Sequence, residues 1–332
     1  METILVTGGA GFIGSHLCER LVNEGHQVVC LDNFDEYYLQ EVKLSNIFDL
    51  RDKPNFIMIR GDILNRVQLK ELFARFEFTK VIHLAARAGV RPSIQDPARY
   101  ADVNVRGTIN MLEECVKQAS LEKFFFASSS SVYGNNKKLP FAETDSVGEP
   151  ISPYAATKRS GELLCYTYHA LHKLPIMCCR FFTVYGPRQR PDMAIHKFVR
   201  SILEEEEIVL FGNGSTARDY TYIDDIIEGI MRILDAEYQY DIVNLGESKV
   251  ISLRHLVVCI EDALGKKARI KYVPYAPGDV NATFADITKA KTKYGYEPRC
   301  SVEEGIDVFV KWFQKKTVGT MRYVRDNRLL QL

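Results

Sequence analysis

The chain opens with the segment Thr3-Ile4-Leu5-Val6-Thr7-Gly8-Gly9-Ala10-Gly11-Phe12-Ile13-Gly14, in which a short run of β-forming residues leads directly into spaced glycines. Apolar residues then recur at helical spacing over 13–21, and a second apolar run over 27–31 ends at Asp32. This order of strand, glycine turn, helix, strand and acidic residue is typical of a βαβ unit that binds a dinucleotide.

The spacing of the glycines gives each of them a physical role. Gly8 permits the tight turn, Gly11 lets a pyrophosphate approach the backbone at the helix start, and Gly14 allows the helix to pack closely on the strand. A carboxylate at Asp32 can accept hydrogen bonds from an adenosine ribose and would repel a 2′-phosphate, so we expect NAD rather than NADP. The predicted cofactor contacts of this unit are Gly8, Gly11, Phe12, Ile13, Gly14, Asp32 and Asn33.

The alternation of strands and helices continues to about residue 180. Apolar strands are predicted near 56–60, 80–85, 123–128 and 175–180, with helices near 66–76, 98–118 and 154–173. Such alternation predicts an α/β fold with a doubly wound parallel sheet. Asp62 and Ile63 follow the third strand, where a second adenosine contact would fall; Asp62 could alternatively, or at the same time, be a helix N-cap.

Proline and glycine punctuate shorter elements after residue 181, which indicates a smaller, mixed α/β substrate-binding domain. We expect a dinucleotide-binding domain at 1–180 with about 222–246, and a second domain at about 181–221 and 247–316. The tail at 317–332 shows no clear pattern and is left unassigned.

Composition excludes several classes of protein. The 332 residues carry 43 basic and 43 acidic side chains, so there is no net field to attract nucleic acid or an anionic membrane. No apolar run approaches the roughly 20 residues of a membrane span. Eight cysteines without a CxxC pair, and seven histidines without a metal-binding spacing, predict a cytoplasmic protein with reduced thiols and no metal.

A tyrosine and a lysine four residues apart mark the predicted chemical centre. Tyr154 and Lys158 share one face of a helix, where the ammonium is expected to lower the pKa of the phenol and make it a general base. Upstream, the strand 124–127 runs into the turn 128–134, which contains four consecutive serines. Serines at the carboxyl edge of a parallel sheet lie where such folds bind ligands.

These motifs, together with His83-Leu84-Ala85-Ala86, resemble the extended short-chain dehydrogenase/reductase superfamily over roughly residues 3–315. The branch most similar in its motifs is that of the nucleotide-sugar 4-epimerases. The resemblance implies bound NAD, a homodimer built on two helices of each subunit, and a catalytic triad of Ser129, Tyr154 and Lys158. It also implies cofactor contacts at Leu84, Ala85, Ala86 and Asn104, besides Tyr154 and Lys158 themselves.

The same resemblance implies a site for a UDP-sugar. The family's diphosphate-binding arginine corresponds to Arg218, while Phe211 lies in the loop beside the uridine and Asp279 is a nucleoside contact. A guanidinium also suits phosphate oxygens on physical grounds. A second phosphate-binding arginine of some epimerases is replaced here by Ala276.

The serine turn distinguishes between the reactions of this superfamily. Dehydratases and decarboxylating relatives carry acidic residues just before the Val-Tyr-Gly motif, but this chain has Ser130 and Ser131 there. We therefore expect reversible oxidation at C4 of the sugar, without elimination.

The sugar is predicted from the segment 180–193, which is similar to that of UDP-glucuronate 4-epimerases. Arg190 could bind a C6 carboxylate, with hydrogen bonds from Thr183, Ser129 and Ser130, and Arg91 is a weaker candidate for the same end of the sugar. Alternatively, Arg190 forms a surface ion pair with Asp192. UDP-N-acetylglucosamine or UDP-glucose epimerisation is then the second hypothesis, and a non-catalytic NAD-binding sensor is the remote one.

Overall fold

The structure is a computed structural model that describes residues 1–274 and 283–329, with side chains described up to residue 315 except that of Phe211. The strands are β1 (Thr3–Thr7), β2 (Gln27–Asp32), β3 (Phe56–Arg60), β4 (Lys80–His83), β5 (Lys123–Ser129), β6 (Ile176–Phe181), β7 (Thr183–Tyr185), β8 (Glu207–Phe211), β9 (Ala217–Arg218), β10 (Tyr220–Tyr222), β11 (Tyr240–Leu245), β12 (Ile251–Ser252) and β13 (Arg269–Val273).

The α-helices are α1 (Phe12–Asn23), α2 (Gln40–Asn46), α3 (Arg66–Arg75), α4 (Val90–Gln95), α5 (Pro97–Ala101), α6 (Gly107–Cys115), α7 (Pro153–His172), α8 (Ala194–Leu203), α9 (Ile223–Asp235), α10 (Leu253–Leu264), α11 (Thr288–Tyr294) and α12 (Val302–Leu329). A π-helical turn, Asp102–Arg106, joins α5 to α6, and the serine turn contains a 3₁₀ helix, Ser130–Tyr133.

Seven parallel strands form the central sheet in the order β11-β6-β5-β4-β1-β2-β3. The strand order reverses between β1 and β4, so the helices that follow these two strands leave on opposite sides. A crevice opens at the carboxyl ends of the strands at such a point. The predicted doubly wound α/β fold is confirmed.

Both faces of the sheet are covered by helices. Ile4 and Val6 of β1 pack into a cluster with residues of α1 and α9, whereas Leu5 packs into a second cluster with residues of α3, α6 and α7. All seven residues of β5 are buried. Because this strand lies in the middle of two apolar layers, the serines at its end have a rigid base.

The elements after β6 form three small two-stranded sheets beside the carboxyl edge of the central sheet. They pair β7 with β10, β8 with β13 and β9 with β12, while α9 and β11 return to the central sheet. The boundaries of the two domains stay a prediction. The tail that begins at residue 317 shows no sequence pattern, but α12 extends through it and ends at Leu329.

None of the eight cysteines, all of which lie in the described residues, is joined in a disulfide, and seven of them are buried. Among the helices of the described residues, none combines the length and the apolar character that crossing a bilayer would need.

Candidate active site

A cavity opens where the glycine turn after β1 meets the carboxyl ends of β2, β4 and β5. Most of the predicted cofactor contacts line it. They are Gly8, Gly11, Phe12, Ile13, Gly14, Asp32, Asn33, Ile63, Leu84, Ala85, Ala86, Tyr154 and Lys158. The fold thus brings the glycine turn and the Tyr154–Lys158 pair to one cavity, although they are far apart in sequence.

The glycine turn holds α1 close above β1. A Cβ atom on Gly14 would lie 2.3 Å from the carbonyl oxygen of Gly8, and one on Gly8 would lie 2.8 Å from the backbone nitrogen of Ala85. Gly11 caps α1 without a side-chain hydrogen bond to the first N–H groups of the helix. A helix start of this kind is a favourable place for a phosphate.

Asp32 is buried at the end of β2 and is anchored by the backbone. Its carboxylate accepts hydrogen bonds from the N–H groups of Ala10, at 3.2 Å, and Phe34, at 2.8 Å. The Nζ atom of buried Lys43 lies 3.6 Å from Asp32. Lys43 was not predicted to lie near Asp32, because it belongs to α2 and no motif marks its position.

Two predicted cofactor residues, Asp62 and Asn104, are not among the described residues that line this cavity but bond to residues that do. Asp62 accepts hydrogen bonds from the Asn33 side chain and the Leu64 backbone, while the N-cap of α3 is Asn65, so the alternative role of Asp62 as N-cap is wrong. Asn104 accepts from the Arg87 backbone N–H at 2.8 Å and donates to the Thr157 hydroxyl at 3.0 Å. It therefore ties the loop after β4 to α7.

Tyr154 and Lys158 lie in the first turns of α7, whose N-cap is Ser152. The Lys158 ammonium donates to the carbonyl of Ala127 at 2.7 Å, and burial lowers its pKa to about 8. Burial also raises the pKa of Tyr154, against the opposing effects of a hydrogen bond with Ser129 and the charge of Arg190. The expectation that Lys158 lowers the pKa of this phenol is wrong, because desolvation dominates and the opposing effects come from Ser129 and Arg190.

His83 lies beneath this site at the end of β4. Its ring nitrogens contact the hydroxyl groups of Thr7, at 2.8 Å, and Thr108, at 3.1 Å. Burial, with the nearby charge of Lys158, lowers the pKa of His83 to about 3. The imidazole is therefore neutral at physiological pH and links β1, β4 and α6 by hydrogen bonds.

Arg190 lines the same cavity but is already paired. Its Nε and Nη2 atoms donate to the two oxygens of Asp192 at 2.9 and 2.8 Å, and the Tyr37 hydroxyl donates to the same carboxylate at 3.3 Å. The alternative of an Arg190–Asp192 ion pair is thus present in the structure. It is an internal pair, however, because Arg190 lines the cavity that contains Tyr154.

A second cavity, of about 560 Å³, adjoins this ion pair on the side of Asp192. Its described lining carries four basic side chains and two acidic ones. They are Arg91, Lys197, Arg200, Arg218, Asp192 and Glu207. This excess of positive charge suits a diphosphate. The sequence analysis named Arg91 and Arg218 but missed Lys197 and Arg200, which are three residues apart on α8.

The remaining predicted substrate contacts lie elsewhere. Thr183 begins β7, and Ser130 begins the 3₁₀ helix after β5; neither is among the described residues that line the two cavities. Phe211 is the last residue of β8. Asp279 lies outside the described residues.

Several further residues of the first cavity come from the loops after β2 and β4, at positions that belong to no motif. Tyr37, Tyr38 and Arg87 line it, and Arg87 donates to Asp35 at 2.8 Å. Only an aromatic cluster, Tyr37-Tyr38, could have drawn attention to the first of these loops.

Comparison with known proteins identifies the family. A sequence profile described as GDP-mannose 4,6 dehydratase matches residues 5–309. The chain belongs to this family of extended short-chain dehydrogenases/reductases. The resemblance inferred from the sequence motifs is thereby confirmed.

Proteins similar to this chain over nearly its full length include epimerases. A UDP-glucuronate 4-epimerase of Thermodesulfobacterium geofontis is 45% identical over 98% of this chain and 100% of that protein. A crystal structure of UDP-glucuronic acid 4-epimerase from Bacillus cereus, with UDP-glucuronic acid and NAD, is 39% identical and has a TM-score of 0.89 over 94% of this chain and 99% of that chain. A UDP-N-acetylglucosamine 4-epimerase from Methanobrevibacter ruminantium is 31% identical, with a TM-score of 0.87 over 95% of this chain and 99% of that chain.

In this member of the family, a buried ion pair supports the serine turn from below. Glu162 of α7 and Arg180 of β6 form two hydrogen bonds, of 2.8 and 2.9 Å, and the Ser128 hydroxyl donates to Glu162 at 2.6 Å. Arg180 also donates to the Tyr133 hydroxyl at 3.0 Å, which in turn donates to Asn244 of β11. The pair therefore joins β5, β6, α7, β11 and the serine turn.

We predict that Glu162→Gln destabilises the chain strongly. Burial by itself would raise the pKa of Glu162, but Arg180, together with hydrogen bonds from Ser128 and Arg159, holds the pKa below its ordinary value, so the pair is charged at neutral pH. Neutralising Glu162 leaves the buried Arg180 charge unpaired, which costs about 3–5 kcal/mol of unfolding free energy. Urea denaturation measures this loss.

The matched control is Arg159→Gln, which removes the other cation paired with Glu162. Because Arg159 is 28% exposed, we expect a loss of at most about 1 kcal/mol. Unchanged urea stability in Glu162→Gln would contradict the support assigned to the buried pair.

Proposed function

We propose that this chain is an NAD-dependent UDP-sugar 4-epimerase that interconverts UDP-glucuronate and UDP-galacturonate through a 4-keto intermediate. The observation that carries the proposal is the position of Tyr154, which shares one cavity with the glycine turn and Lys158. Relatives of nearly the same length that bear the name UDP-glucuronate 4-epimerase support the choice of reaction.

The chain's own residues fit NAD. The uncapped start of α1 is suited to a pyrophosphate, and Asp32 and Asn33 line the cavity where the adenosine ribose is expected. Bound NAD would supply the hydride acceptor and donor for C4 of the sugar. Lys43 partly compensates the charge of Asp32 and so weakens the repulsion of a 2′-phosphate. The preference for NAD therefore depends on the Asp32 oxygens as hydrogen-bond acceptors.

In the proposed mechanism, Tyr154 accepts the proton of the C4 hydroxyl and Ser129 orients that hydroxyl. Since burial raises the pKa of Tyr154, the cations around it must favour the phenolate during the reaction, and Arg190 already acts in this direction. Lys158, held by the carbonyl of Ala127, is expected to hydrogen-bond the nicotinamide ribose. After rotation of the 4-keto sugar, C4 would regain its hydride on the opposite face, and Tyr154 gives its proton back to the C4 oxygen.

The described lining of the Tyr154 cavity supports epimerisation rather than elimination. Its carboxylates, Asp32 and Asp35, come from β2 and the loop that follows it. Asp32 is held by backbone N–H groups, and Asp35 is paired with Arg87 and Arg99. Loss of water from the sugar needs a general acid beside the reacting carbon, and neither carboxylate belongs to the serine turn.

We propose that the nucleotide part of the substrate occupies the second cavity, with the diphosphate at Arg218 and the other basic residues. The sugar would then reach Tyr154 past the Arg190–Asp192 pair, since Arg190 lines one cavity and Asp192 the other. A substrate carboxylate could contact Arg190 by its remaining Nη1 or by displacing Asp192. Thr183, Ser130, Arg91, Phe211 and Asp279 remain proposed substrate contacts.

The pairing of Arg190 with Asp192 also favours a specific alternative. If Arg190 bonds only to Asp192 and its Nη1 does not reach the substrate, it contributes no carboxylate recognition, and a neutral sugar such as UDP-N-acetylglucosamine would be the substrate. The similarity to the Methanobrevibacter epimerase agrees with this second hypothesis. A purely NAD-binding sensor is disfavoured by the intact Ser129, Tyr154 and Lys158.

We further propose a cytoplasmic homodimer. Helix α7 leaves Leu163, Tyr166 and Leu171 more than half exposed, and it packs beside α5 and α6. Large exposed apolar side chains on a long helix favour association with a second copy. Two such helices from each subunit would form a four-helix bundle.

The proposed function predicts that the wild-type chain, incubated with UDP-sugars, converts UDP-glucuronate to UDP-galacturonate and that Tyr154→Phe abolishes this conversion. The substitution removes the proton acceptor but almost no volume, so the rate should fall by at least about 10²–10⁴-fold, the usual contribution of general-base catalysis. Chromatography that separates C4 epimers measures the product.

Tyr166→Phe is the matched control, because Tyr166 lies on the same helix and is exposed; its rate should equal that of the wild type. No turnover of any UDP-sugar by the wild-type chain with added NAD would support the sensor instead. Wild-type rates in Tyr154→Phe would remove this tyrosine from the mechanism.

Substrate choice is tested by Arg190→Ala. Losing a hydrogen bond to a charged group costs about 1.5–3 kcal/mol, so kcat/KM for UDP-glucuronate should fall roughly 10–100-fold. The value for UDP-glucose should fall less, since that sugar has no carboxylate and loses only the effect of the Arg190 charge on Tyr154. A 4-keto uronic acid readily loses CO₂, and we expect some decarboxylated pentose product when its carboxylate is no longer held.

Arg188→Ala provides a control, because this neighbouring arginine pairs with Glu19 at 2.6 Å. It should leave the ratio of the two kcat/KM values unchanged. If Arg190→Ala also leaves that ratio unchanged, or if the wild-type chain prefers UDP-N-acetylglucosamine, the uronic-acid assignment is wrong and the second hypothesis replaces it.

A further inference from the structure

A cluster of three potential metal ligands lies outside both cavities, between α10 and α12. His255 and Cys259 are four residues apart on α10 and therefore share one face of the helix. Glu303 comes from the first turn of α12. The ligand atoms of these three side chains all lie within 4.8 Å of one another.

The spacing within this cluster matches a tetrahedral zinc ion. The Cys259 sulfur lies 3.6 Å from Nε2 of His255. Zinc bonds of about 2.3 Å to sulfur and about 2.0 Å to nitrogen, at a tetrahedral angle, would place these two atoms about 3.5 Å apart. The same Nε2 atom lies 2.9 Å from a Glu303 carboxylate oxygen. A small rotation of the exposed His255 and Glu303 side chains would lengthen this distance and leave room for an ion between the three ligand atoms.

The ligand types favour zinc over harder cations. A thiolate and an imidazole are ligands that zinc prefers, whereas magnesium and calcium take oxygen ligands. Three protein ligands leave one position for water. His255 and Glu303 are 48% and 59% exposed, which gives an ion access from solvent, while the thiol of Cys259 is nearly buried below them.

We propose that His255, Cys259 and Glu303 bind a zinc ion that clamps α12 onto α10. The sequence analysis found no metal spacing because Glu303 joins the pair on α10 only in the folded chain. Since Cys259 coordinates as a thiolate, binding releases its proton to solvent and must strengthen as pH rises. The proposed zinc site is connected to the second cavity through α10, because Leu253 at the start of this helix lines that cavity.

The full-length chain, freed of metal with EDTA, is titrated with Co²⁺ as a spectroscopic substitute for zinc and with Zn²⁺ in competition with a chromophoric chelator. We expect one equivalent to bind, with a sulfur-to-cobalt charge-transfer band in the near ultraviolet and the intense visible bands of a tetrahedral ion. Zinc should also raise the Tm of the wild-type chain.

Cys259→Ser should abolish the charge-transfer band and weaken zinc binding at least about tenfold, a loss that even outer-shell changes around a metal can produce. His255→Gln and Glu303→Gln should weaken binding similarly. Cys300→Ser is the matched control, since this more exposed thiol lies at the start of α12 and contacts the Ser301 carbonyl. A cobalt complex without the sulfur band, or equal zinc affinity in Cys259→Ser and wild type, would overturn the proposal.

Discussion

Helix α1 can begin directly above β1 only because its third residue has no side chain, since a Cβ atom on Gly14 would lie 2.3 Å from the Gly8 carbonyl oxygen. This close contact brings the start of α1 to the carboxyl edge of the sheet, where a backbone N–H of the same turn, that of Ala10, also holds Asp32. The cavity at the start of α1 and the position of Asp32 both depend on that one approach of helix to strand.

The features predicted from sequence are those encoded by neighbouring residues. The βαβ unit at 3–32 and the Tyr154–Lys158 spacing each lie within one or two elements, so periodicity and spacing suffice to find them. The parallel sheet follows from the alternation of such units. A helix over the tail could not be predicted in the same way, because 317–332 lacks an amphipathic repeat.

The features that sequence did not predict depend on contacts between distant elements. Lys43 meets Asp32 from the next helix, and Glu162 meets Arg180 across α7 and β6. The pKa of Tyr154 was mispredicted for a related reason, because helical spacing shows its neighbour Lys158 but not the surrounding burial. Long-range packing, rather than local pattern, sets the electrostatics of this site.

The central claim is that hydrogen leaves C4 of the sugar and returns to the same carbon within a closed site. UDP-glucuronate deuterated at C4, incubated with the wild-type chain in ordinary water, tests it most directly. NMR and mass spectrometry of the isolated UDP-galacturonate should show deuterium retained at C4. Protium from solvent at that carbon would contradict the account, because the epimerisation would then proceed by proton exchange with water rather than by hydride transfer within the site.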